Sequence, residues 1–450
     1  MSKKWPGECT CRLPTFFPAE AISMKYECRE YPDLGEKVYI GKVDEGLTCI
    51  FLPKPGFKRK FAVLATPYGA INRSALVDGE EFITPAGIAH FLEHKMFEDP
   101  AASIENKFAS YGASTNAFTT HTMTAYLFST AENFYECLDL LLDFVQRPAF
   151  TEEGVIAERS IIAQEIKMYQ DQPNWAVYLG ALAGMYGDHP VSEDIAGKEA
   201  DLAQIDYELL RKCHELFYNP GRMVLVVAGD IDEKELYGFI AKNQGQKQFP
   251  KLPAIKSLVP RPQPGVGECF AAGMEVSRPL FCLGLRDQLA RDWQEAGRRE
   301  TVVSLFLEIF IGKNSPFYNR LYDEGIIDNS FGVEYSCTPW YSHFIFGGET
   351  DDPDRLAQEL LGELKRLQEC GISQQQLDVN LRKLLGLFIM DLNGLESTVM
   401  AYATDWLQQG DYLTRFEEMT KLTKKDVEEF LHNLDLDQKC LSVVNPLNQQ

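Results

Sequence analysis

The chain has few histidines, an excess of acidic residues over basic ones, and no long apolar run. Only 7 of its 450 residues are histidine, and 44 Lys and Arg face 66 Asp and Glu. The net charge of -22 argues against a nucleic-acid or anionic-membrane partner, since such a surface would repel the protein. No stretch approaches the roughly 18 apolar residues of a membrane span. The start, MSKKWPGECTC, lacks an apolar signal core, so we expect neither secretion nor membrane insertion.

The cysteines give no disulfide framework. There are 11 of them, an odd number, and they are scattered without Cys-x-x-Cys spacing. Such a set is typical of reduced thiols in a cytosol, so we predict a cytoplasmic protein. Cys9 and Cys11 are close enough to ligate a metal, but an exposed tail is the simpler interpretation and their role stays open.

The order of predicted elements repeats along the chain. Residues 128–166 and 346–388 each predict a strand, a helix, a turn and a second helix. Near the end of each half, 212–230 and 429–446 each predict a helix followed by a buried strand. The sequence therefore predicts one α+β unit present twice.

Length supports the same division, because 450 residues exceed what one hydrophobic core usually supports. The segment 243–264 is rich in proline and has little periodicity, which predicts a linker. We therefore predict an α+β fold of two homologous domains, 1–242 and 265–450, each a mostly antiparallel sheet packed against helices.

The stretch PAGIAHFLEHKMFED, 85–99, holds two of the seven histidines. Thr84 followed by proline predicts a helix over 85–97, with Thr84 as the N-cap. The histidines occur as His-x-x-Glu-His, a spacing that brings both imidazole rings to one face of a helix.

Residues four apart share one face of a helix, so His90 and His94 can direct their rings at one point. Two neutral imidazoles are half of a zinc site, and a third protein ligand would leave one position for water. Glu93, next to them, fits the general base that activates a zinc-bound water. The alternative is that all three are ordinary helix residues.

A third ligand is available on the helix predicted over 151–169. Glu158 and Glu165 lie two turns apart on one face, beside a stripe of valine and isoleucine. Carboxylates next to such a stripe need a partner, and a metal or its ligands would supply one. A solvated edge of the helix is the alternative.

These residues resemble the M16 metallopeptidases, also called the pitrilysin or insulinase family. The family signature is an inverted zinc motif, His-x-x-Glu-His, with a ligand Glu further along the chain. Here HFLEH at 90–94 is followed by QE at 164–165, and GASTNAFTTHTMTAY at 112–126 also matches. The likeness is strong over the first half and weaker over the second, where the family has a degenerate duplicate.

The resemblance implies a role for each residue of the motif. His90, His94 and Glu165 would bind Zn²⁺, Glu93 would be the catalytic base, and Glu158 would orient a ligand.

The resemblance also implies a peptide-binding edge. Members of the family add an extended peptide to the strand that holds an Asn-Ala pair, here Asn116, Ala117 and Phe118. That strand is predicted within 114–129, which alternates throughout. A polar residue at a strand end is the alternative for Asn116, and His121 is predicted to be a surface side chain outside the site.

The second half has lost the chemistry. Leu305 and Ile309 fall where the two histidines would be, and Asn380 and Leu387 fall where the two glutamates would be. One active site is expected, and the resemblance implies that the chain forms half of a clamshell chamber.

The segment NRLYDEGIIDNSFGVEY, 319–335, departs from the family pattern. Active members supply an Arg and a Tyr here, but Tyr322 stands at the Arg position and Asp328 or Asn329 at the Tyr position. Arg320 and Tyr322 could substitute, although a packed helix end is the simpler interpretation. The chain thus resembles the zinc-bearing subunit of bacterial heterodimers, with a homodimer as the alternative.

We predict a zinc-dependent endopeptidase that cleaves small unfolded peptides. One alternative is a non-catalytic structural or peptide-binding subunit, favoured by the altered segment 319–335. A second is a dedicated maturation protease for a ribosomal peptide. The expected partners are a peptide substrate and a second M16-type subunit, without nucleic acid or membrane.

Overall fold

The computed structural model describes residues 25–43, 46–100, 102–263 and 270–447, so Cys9 and Cys11 lie outside the described residues. The strands of the first half are β1 Lys25–Tyr31, β2 Glu36–Lys42, β3 Thr48–Pro53, β4 Lys60–Thr66, β5 Ser74–Val77, β6 Glu80–Ile83, β7 Ser114–Thr119, β8 Thr124–Thr130, β9 Val224–Gly229 and β10 Ile255–Ser257. Its helices are α1 Ile88–Met96, α2 Ile104–Ser110, α3 Phe134–Gln146, α4 Glu152–Gln170, α5 Pro173–Tyr186, α6 Glu199–Leu202, α7 Tyr207–Phe217 and α8 Glu233–Gly245.

The second half repeats much of this order. Its strands are β11 Phe270–Met274, β12 Leu280–Arg286, β13 Gly332–Cys337, β14 Ser342–Glu349 and β15 Lys439–Pro446. Its helices are α9 Trp293–Phe310, α10 Pro316–Asp323, α11 Pro353–Cys370, α12 Gln374–Asp391, α13 Leu395–Leu407, α14 Thr414–Thr420 and α15 Lys424–Asn433.

Each half builds one large sheet. The first has the strand order β1-β2-β3-β9-β4-β8-β7, and only β3 and β9 run parallel. The second has the order β11-β15-β12-β14-β13, and only β11 and β15 run parallel. The predicted α+β fold, with two like domains of mostly antiparallel sheet packed against helices, is confirmed.

The helices of each half cover one face of its own sheet. In the first half, Phe51 and Leu64 of the sheet pack with Phe91 of α1 and Leu138 of α3. In the second half, Phe344 packs with residues of α9, α11 and α15. Burying an apolar face of this kind is the main source of stability for such layers.

The opposite face of each sheet is covered by a helix from the other half. Helix α5 packs on β11, β12 and β15, where Leu182 and Cys282 share a core. Helix α13 packs on β4 and β9, where Tyr402 and Val226 share another. The halves are therefore interlocked, and a helix of the first half lies directly on the second sheet.

Helices α12 and α13 meet at a bend of 107°. Within the described residues no single helix is long and apolar enough to cross a bilayer, and only this bent pair together has that length and composition.

The connection between the halves differs from the predicted linker, 243–264. Helix α8 continues to Gly245, because Asn243 donates to Asp139 and Gln244 donates to Gln146 inside the protein. The segment then adds strand β10 to β5 in a small sheet of order β10-β5-β6. These pairings are tertiary, so composition alone gives no sign of them, and the exact domain limits stay a prediction.

Candidate metal centre and peptide-binding edge

Helix α1 begins three residues later than predicted. Thr84 does not cap it, because its amide and its hydroxyl both donate to the carbonyl of Arg73. The helix instead follows Gly87, whose φ is +79° and where a Cβ would overlap the carbonyl of Ala196. Only glycine fits both conditions, so Gly87 sets the direction in which α1 leaves the loop.

The structure brings His90, His94 and Glu165 together, because α1 packs beside α4. Nε2 of His90 lies 3.7 Å from Oε1 of Glu165, and Nε2 of His94 lies 3.3 Å from Oε2. The two imidazole rings are 4.6 Å apart between centroids. One ligand atom from each of the three residues lies within 4.8 Å of the others. Among the described residues this is the one such group of His, Cys, Asp and Glu.

The donors at this centre fit zinc in type and number. Burial, together with neighbouring His94, lowers the pKa of His90 to about 4, so this imidazole is neutral as a ligand must be. Nδ1 of His90 is buried without a hydrogen-bond partner, whereas Nε2 faces Glu165. Two imidazoles and one carboxylate are a donor set of catalytic zinc sites.

The surroundings of His94 favour its protonated form, which pairs with the carboxylate of Glu165. Burial opposes its protonation, but the hydrogen bonds to Glu158 and Glu165 raise the pKa of His94 to about 9. A metal cation would take this position in exchange for a proton.

Glu158 lies behind His94 and joins it to a buried lysine. Its Oε1 is 3.1 Å from Nδ1 of His94, and its Oε2 accepts from Lys95 at 3.1 Å. Lys95 is only 2% exposed and also pairs with Glu98, which accepts from the backbone and hydroxyl of Thr151 at the start of α4. This network fixes α1 against α4, the two helices that carry the candidate ligands.

Glu93 points from the same helix toward the edge of the sheet. It is 8% exposed, and the hydroxyl of Thr119 on β7 donates to its Oε2 at 2.7 Å. Burial raises the pKa of the Glu93 carboxyl. Its conformation is therefore fixed by a contact with the strand that carries Asn116, Ala117 and Phe118.

Strand β7 is the edge of the first sheet, and it carries Asn116, Ala117 and Phe118. The amide of Ala117 donates to Oδ1 of Asn116 at 3.0 Å instead of to β8. In an antiparallel ladder every second residue turns its amide away from its partner. The amide of Ala117 thus faces the outer side of the edge, where Oδ1 of Asn116 accepts from it. Asn116 lies within the strand rather than at its end.

The predicted strand over 114–129 is a hairpin of β7 and β8 in the structure. Residues 120–123 form its turn, where the hydroxyl of Thr120 accepts from the amides of Thr122 and Met123. The prediction that His121, in this turn, is a surface side chain is wrong. Its ring is partly buried and packs edge-on against Tyr341 of the second half.

Sequence reasoning missed two residues of this centre, Thr119 and Lys95. Thr119 is on the same side of β7 as Ala117, so strand alternation offered a weak signal. Lys95 had none, because its partners come from tertiary packing of α1 on α4.

The second half has no equivalent set of donors among its described residues. Leu305 and Ile309 are buried on α9, which packs on α12 as α1 packs on α4. On α12, Asn380 donates to a carbonyl of its own helix, and Leu387 is 42% exposed.

The segment 319–335 forms the end of α10, a turn and most of β13. Arg320 pairs with Glu359 at 2.7 Å and with Glu324 at 3.5 Å, and Tyr322 stacks on Tyr318. These partners all belong to the second half, so in this chain Arg320 and Tyr322 are not part of the metal centre. Asp328 pairs with Arg278.

Comparisons with known proteins agree with this arrangement. Residues 81–199 match the model of Insulinase (Peptidase family M16), and residues 204–384 match the model of the Peptidase M16 inactive domain. The chain is 37% identical to the uncharacterized zinc protease YmfH of Bacillus subtilis (strain 168) over 398 residues, which cover 87% of this chain and 93% of that protein.

Solved structures show the same relationship. A protein from Alicyclobacillus acidocaldarius described as an M16-like peptidase aligns with a TM-score of 0.88 and 32% sequence identity. The alignment covers 95% of this chain and 100% of that protein. Pitrilysin shares the fold at 17% identity, with a TM-score of 0.71 over 94% of this chain and 46% of its own. The chain belongs to peptidase family M16.

Proposed function

We propose that this chain is a zinc-dependent endopeptidase that cleaves small unfolded peptides. The observation that carries the proposal is the convergence of His90, His94 and Glu165 beside Glu93, at the open edge strand β7. The relatives named above include one described as a zinc protease.

The roles follow from the positions of the side chains. His90, His94 and Glu165 would hold the zinc, which when bound supplies Lewis-acid chemistry to a carbonyl and to water. Glu93, oriented by Thr119, would take a proton from the attacking water and return it to the leaving amine. Asn116, Ala117 and Phe118 would align the peptide as an added strand.

Main-chain pairing at β7 suits a loose sequence preference and requires an extended chain, which a folded protein does not offer. This supports small unfolded peptides as the substrate class. A dedicated maturation protease for one ribosomal peptide would use the same residues.

A second subunit is part of the proposal. Exposed apolar side chains on α4 and α12 suit a partner surface: Ile156, Ile161, Met168, Val379 and Met390 are each more than half exposed, at 58%, 55%, 52%, 52% and 68%. The chain also spans 46% of pitrilysin. We propose that a second M16-type chain, identical or different, completes a chamber of which this chain forms half. The cytoplasmic location remains a prediction from the scattered cysteines.

The alternative function is a peptide-binding subunit without catalysis. It is favoured by the ion pairs that hold Arg320 within the second half, because Arg320 and Tyr322 then do not reach the candidate metal centre.

The test is Glu93→Gln, assayed with a mixed pool of unfolded peptides in the presence of zinc. Cleavage is expected to fall by about 100-fold or more while zinc binding is retained. Glu136→Gln, on the exposed side of α3, is the control and should cleave normally. Full cleavage by Glu93→Gln would overturn the role of Glu93. Zinc-bound wild type that cleaves no peptide, either alone or together with its second subunit, would favour the non-catalytic subunit.

A further inference from the structure

A row of three aromatic side chains leads away from the metal centre. Tyr169 lies one turn after Glu165 on α4, its ring centroid is 5.8 Å from that of Trp175, and Trp175 is stacked at 5.6 Å on Tyr178. We call Tyr169, Trp175 and Tyr178 the aromatic row. Because α5 lies on the second sheet, the row crosses from one half of the chain to the other.

The aromatic row is held in place and remains accessible. Nε1 of Trp175 donates to Oδ2 of Asp194 at 2.6 Å, which fixes the indole. All three side chains are partly exposed, so their rings offer surface to a ligand.

The aromatic row ends at Glu334. The hydroxyl of Tyr178 lies 3.5 Å from Oε1 of Glu334, which is on β13, the edge strand of the second sheet. Its neighbours Val333 and Tyr335 pack into the core beneath α9, so Glu334 points to the opposite face, where α5 lies.

Glu334 has no cation beside it in the described part of the chain. Its contacts are the hydroxyls of Tyr178 and Ser336, and it is exposed to solvent. Neighbouring protein atoms partly desolvate the Glu334 carboxyl and raise its pKa.

The other desolvated carboxylates of this half are paired. Asp287 has Arg299 at 3.2 Å, and Glu300 has Arg415 at 3.1 Å. Glu334 differs from both, because it is exposed at the end of the aromatic row and has only hydroxyl partners. Glu334 is thus suited to a cation that comes from outside the chain.

We propose that Glu334 and the aromatic row bind a lysine or arginine side chain of the peptide substrate, several residues from the bond that is cleaved. A cation over Trp or Tyr rings is attracted by their faces, and a carboxylate at the end of the row completes its site. From Glu165 to Glu334 the path spans one helical turn and three side-chain contacts, on the order of 20 Å, which about six extended residues cover. The inference rests on the proposed function, since it names the substrate class of the same site.

The test uses quenched fluorescent peptides in which a single arginine is moved along an otherwise neutral sequence, with glutamine at that position for comparison. At one position several residues from the cleaved bond, arginine should lower the KM of the full-length zinc-loaded enzyme roughly tenfold or more, with little change in kcat. In Glu334→Gln the ratio of the KM for the glutamine peptide to the KM for the arginine peptide should fall to about one. Glu334→Asp should keep part of the preference for arginine.

The matched control is Glu369→Gln, an exposed glutamate on α11 at the opposite face of the second sheet, which should keep the full preference for arginine. Glu334→Lys should favour glutamate at the same position, which shows that the variant is folded. The proposal is overturned when no position favours arginine, or when the preference persists in Glu334→Gln.

Peptide binding separates this inference from the proposed catalysis. The same labelled peptides are titrated against zinc-loaded Glu93→Gln, with and without Glu334→Gln, and binding is followed by fluorescence anisotropy. Tighter binding of the arginine peptide that depends on Glu334, without cleavage by the wild type either alone or together with its second subunit, would support the basic subsite and refute the peptidase. Cleavage without preference for arginine would refute the subsite alone.

Discussion

Glu158 joins His94 to Lys95, accepting from Nδ1 of the imidazole and from Nζ of the lysine at 3.1 Å each. Burial alone would raise the pKa of Glu158, but these hydrogen bonds hold it below its usual range. The carboxylate therefore stays ionised and orients the ring whose other nitrogen faces Glu165. It also links the candidate ligands to the contact between α1 and α4.

Replacing Glu158 should weaken zinc binding without removing a ligand. In Glu158→Gln the amide can still contact His94, but the charge that favours a metal cation is lost. We expect zinc affinity to fall about 10- to 100-fold, measured by competition with a chromogenic chelator. Glu153→Gln, an exposed glutamate on the same helix, should bind zinc as the wild type does. Equal affinity in both variants would show that Glu158 does not support the ligand.

Gly87→Ala should displace the helix that carries both histidines. The new Cβ would meet the carbonyl of Ala196 at a residue whose φ is +79°, so both overlap and backbone strain are introduced. We expect a loss of about 2 kcal/mol or more in the free energy of unfolding, together with weaker zinc binding.

Gly112→Ala is the matched control for Gly87→Ala. Its φ of +73° is similar, but no atom lies within 4 Å of the added Cβ. Its loss in the free energy of unfolding, measured by urea denaturation, should reflect backbone strain alone. Its zinc binding should be unchanged. Identical behaviour of the two variants would contradict the account of Gly87.

Three histidines, two of them buried and one partly buried, should make the fold sensitive to acid. Burial lowers the pKa of His121 and of His214 to about 4 and that of His343 to about 3. In the unfolded chain these groups titrate near 6.5, so between about 4 and 6.5 the unfolded state binds more protons. Stability is therefore fully present above the unfolded value and falls as pH decreases, by about 1.4 kcal/mol per pH unit for each histidine.

His214→Gln tests this dependence. The imidazole donates from Nε2 to the carbonyl of Val145 at 2.9 Å, and a glutamine amide can keep that bond without titrating. The decline of the free energy of unfolding between pH 6.5 and pH 5 should be less steep in this variant. His432→Gln, at an exposed position, should leave the decline unchanged. A decline that is the same in His214→Gln would refute the assignment.

The sequence accounts for the local geometry of the candidate metal centre. His90 and His94 are four apart on one helix, and Glu158 and Glu165 are two turns apart on another, so periodicity alone places each pair on one face. The resemblance to the family then implies that the helix with the two histidines lies beside the helix with the two glutamates. Periodicity cannot predict that contact. The cluster in the structure has the members that this pairing implies.

What the sequence does not predict depends on contacts between distant segments. Thr119 orients Glu93 across the gap between β7 and α1, and Lys95 is buried by Glu98 and Glu158. The start of α1 was misplaced because Thr84 binds Arg73 instead of capping the helix.

The sequence pattern also does not predict that α5 covers the sheet of the second half and α13 that of the first. Helix α5 has apolar residues on most sides, so its sequence fits a buried helix without naming the sheet it covers. Its place on the second sheet is what brings Tyr178 to Glu334.

The central claim is that His90, His94 and Glu165 form a zinc centre, and metal content tests it most directly. The purified wild type, Glu165→Ala and the exposed control Glu153→Ala are each incubated with zinc, dialysed and measured by elemental analysis. About one zinc per chain is expected in the wild type and the control, and little or none in Glu165→Ala. A wild type that takes up no zinc, or a Glu165→Ala variant that holds it as firmly as the wild type, would contradict the account.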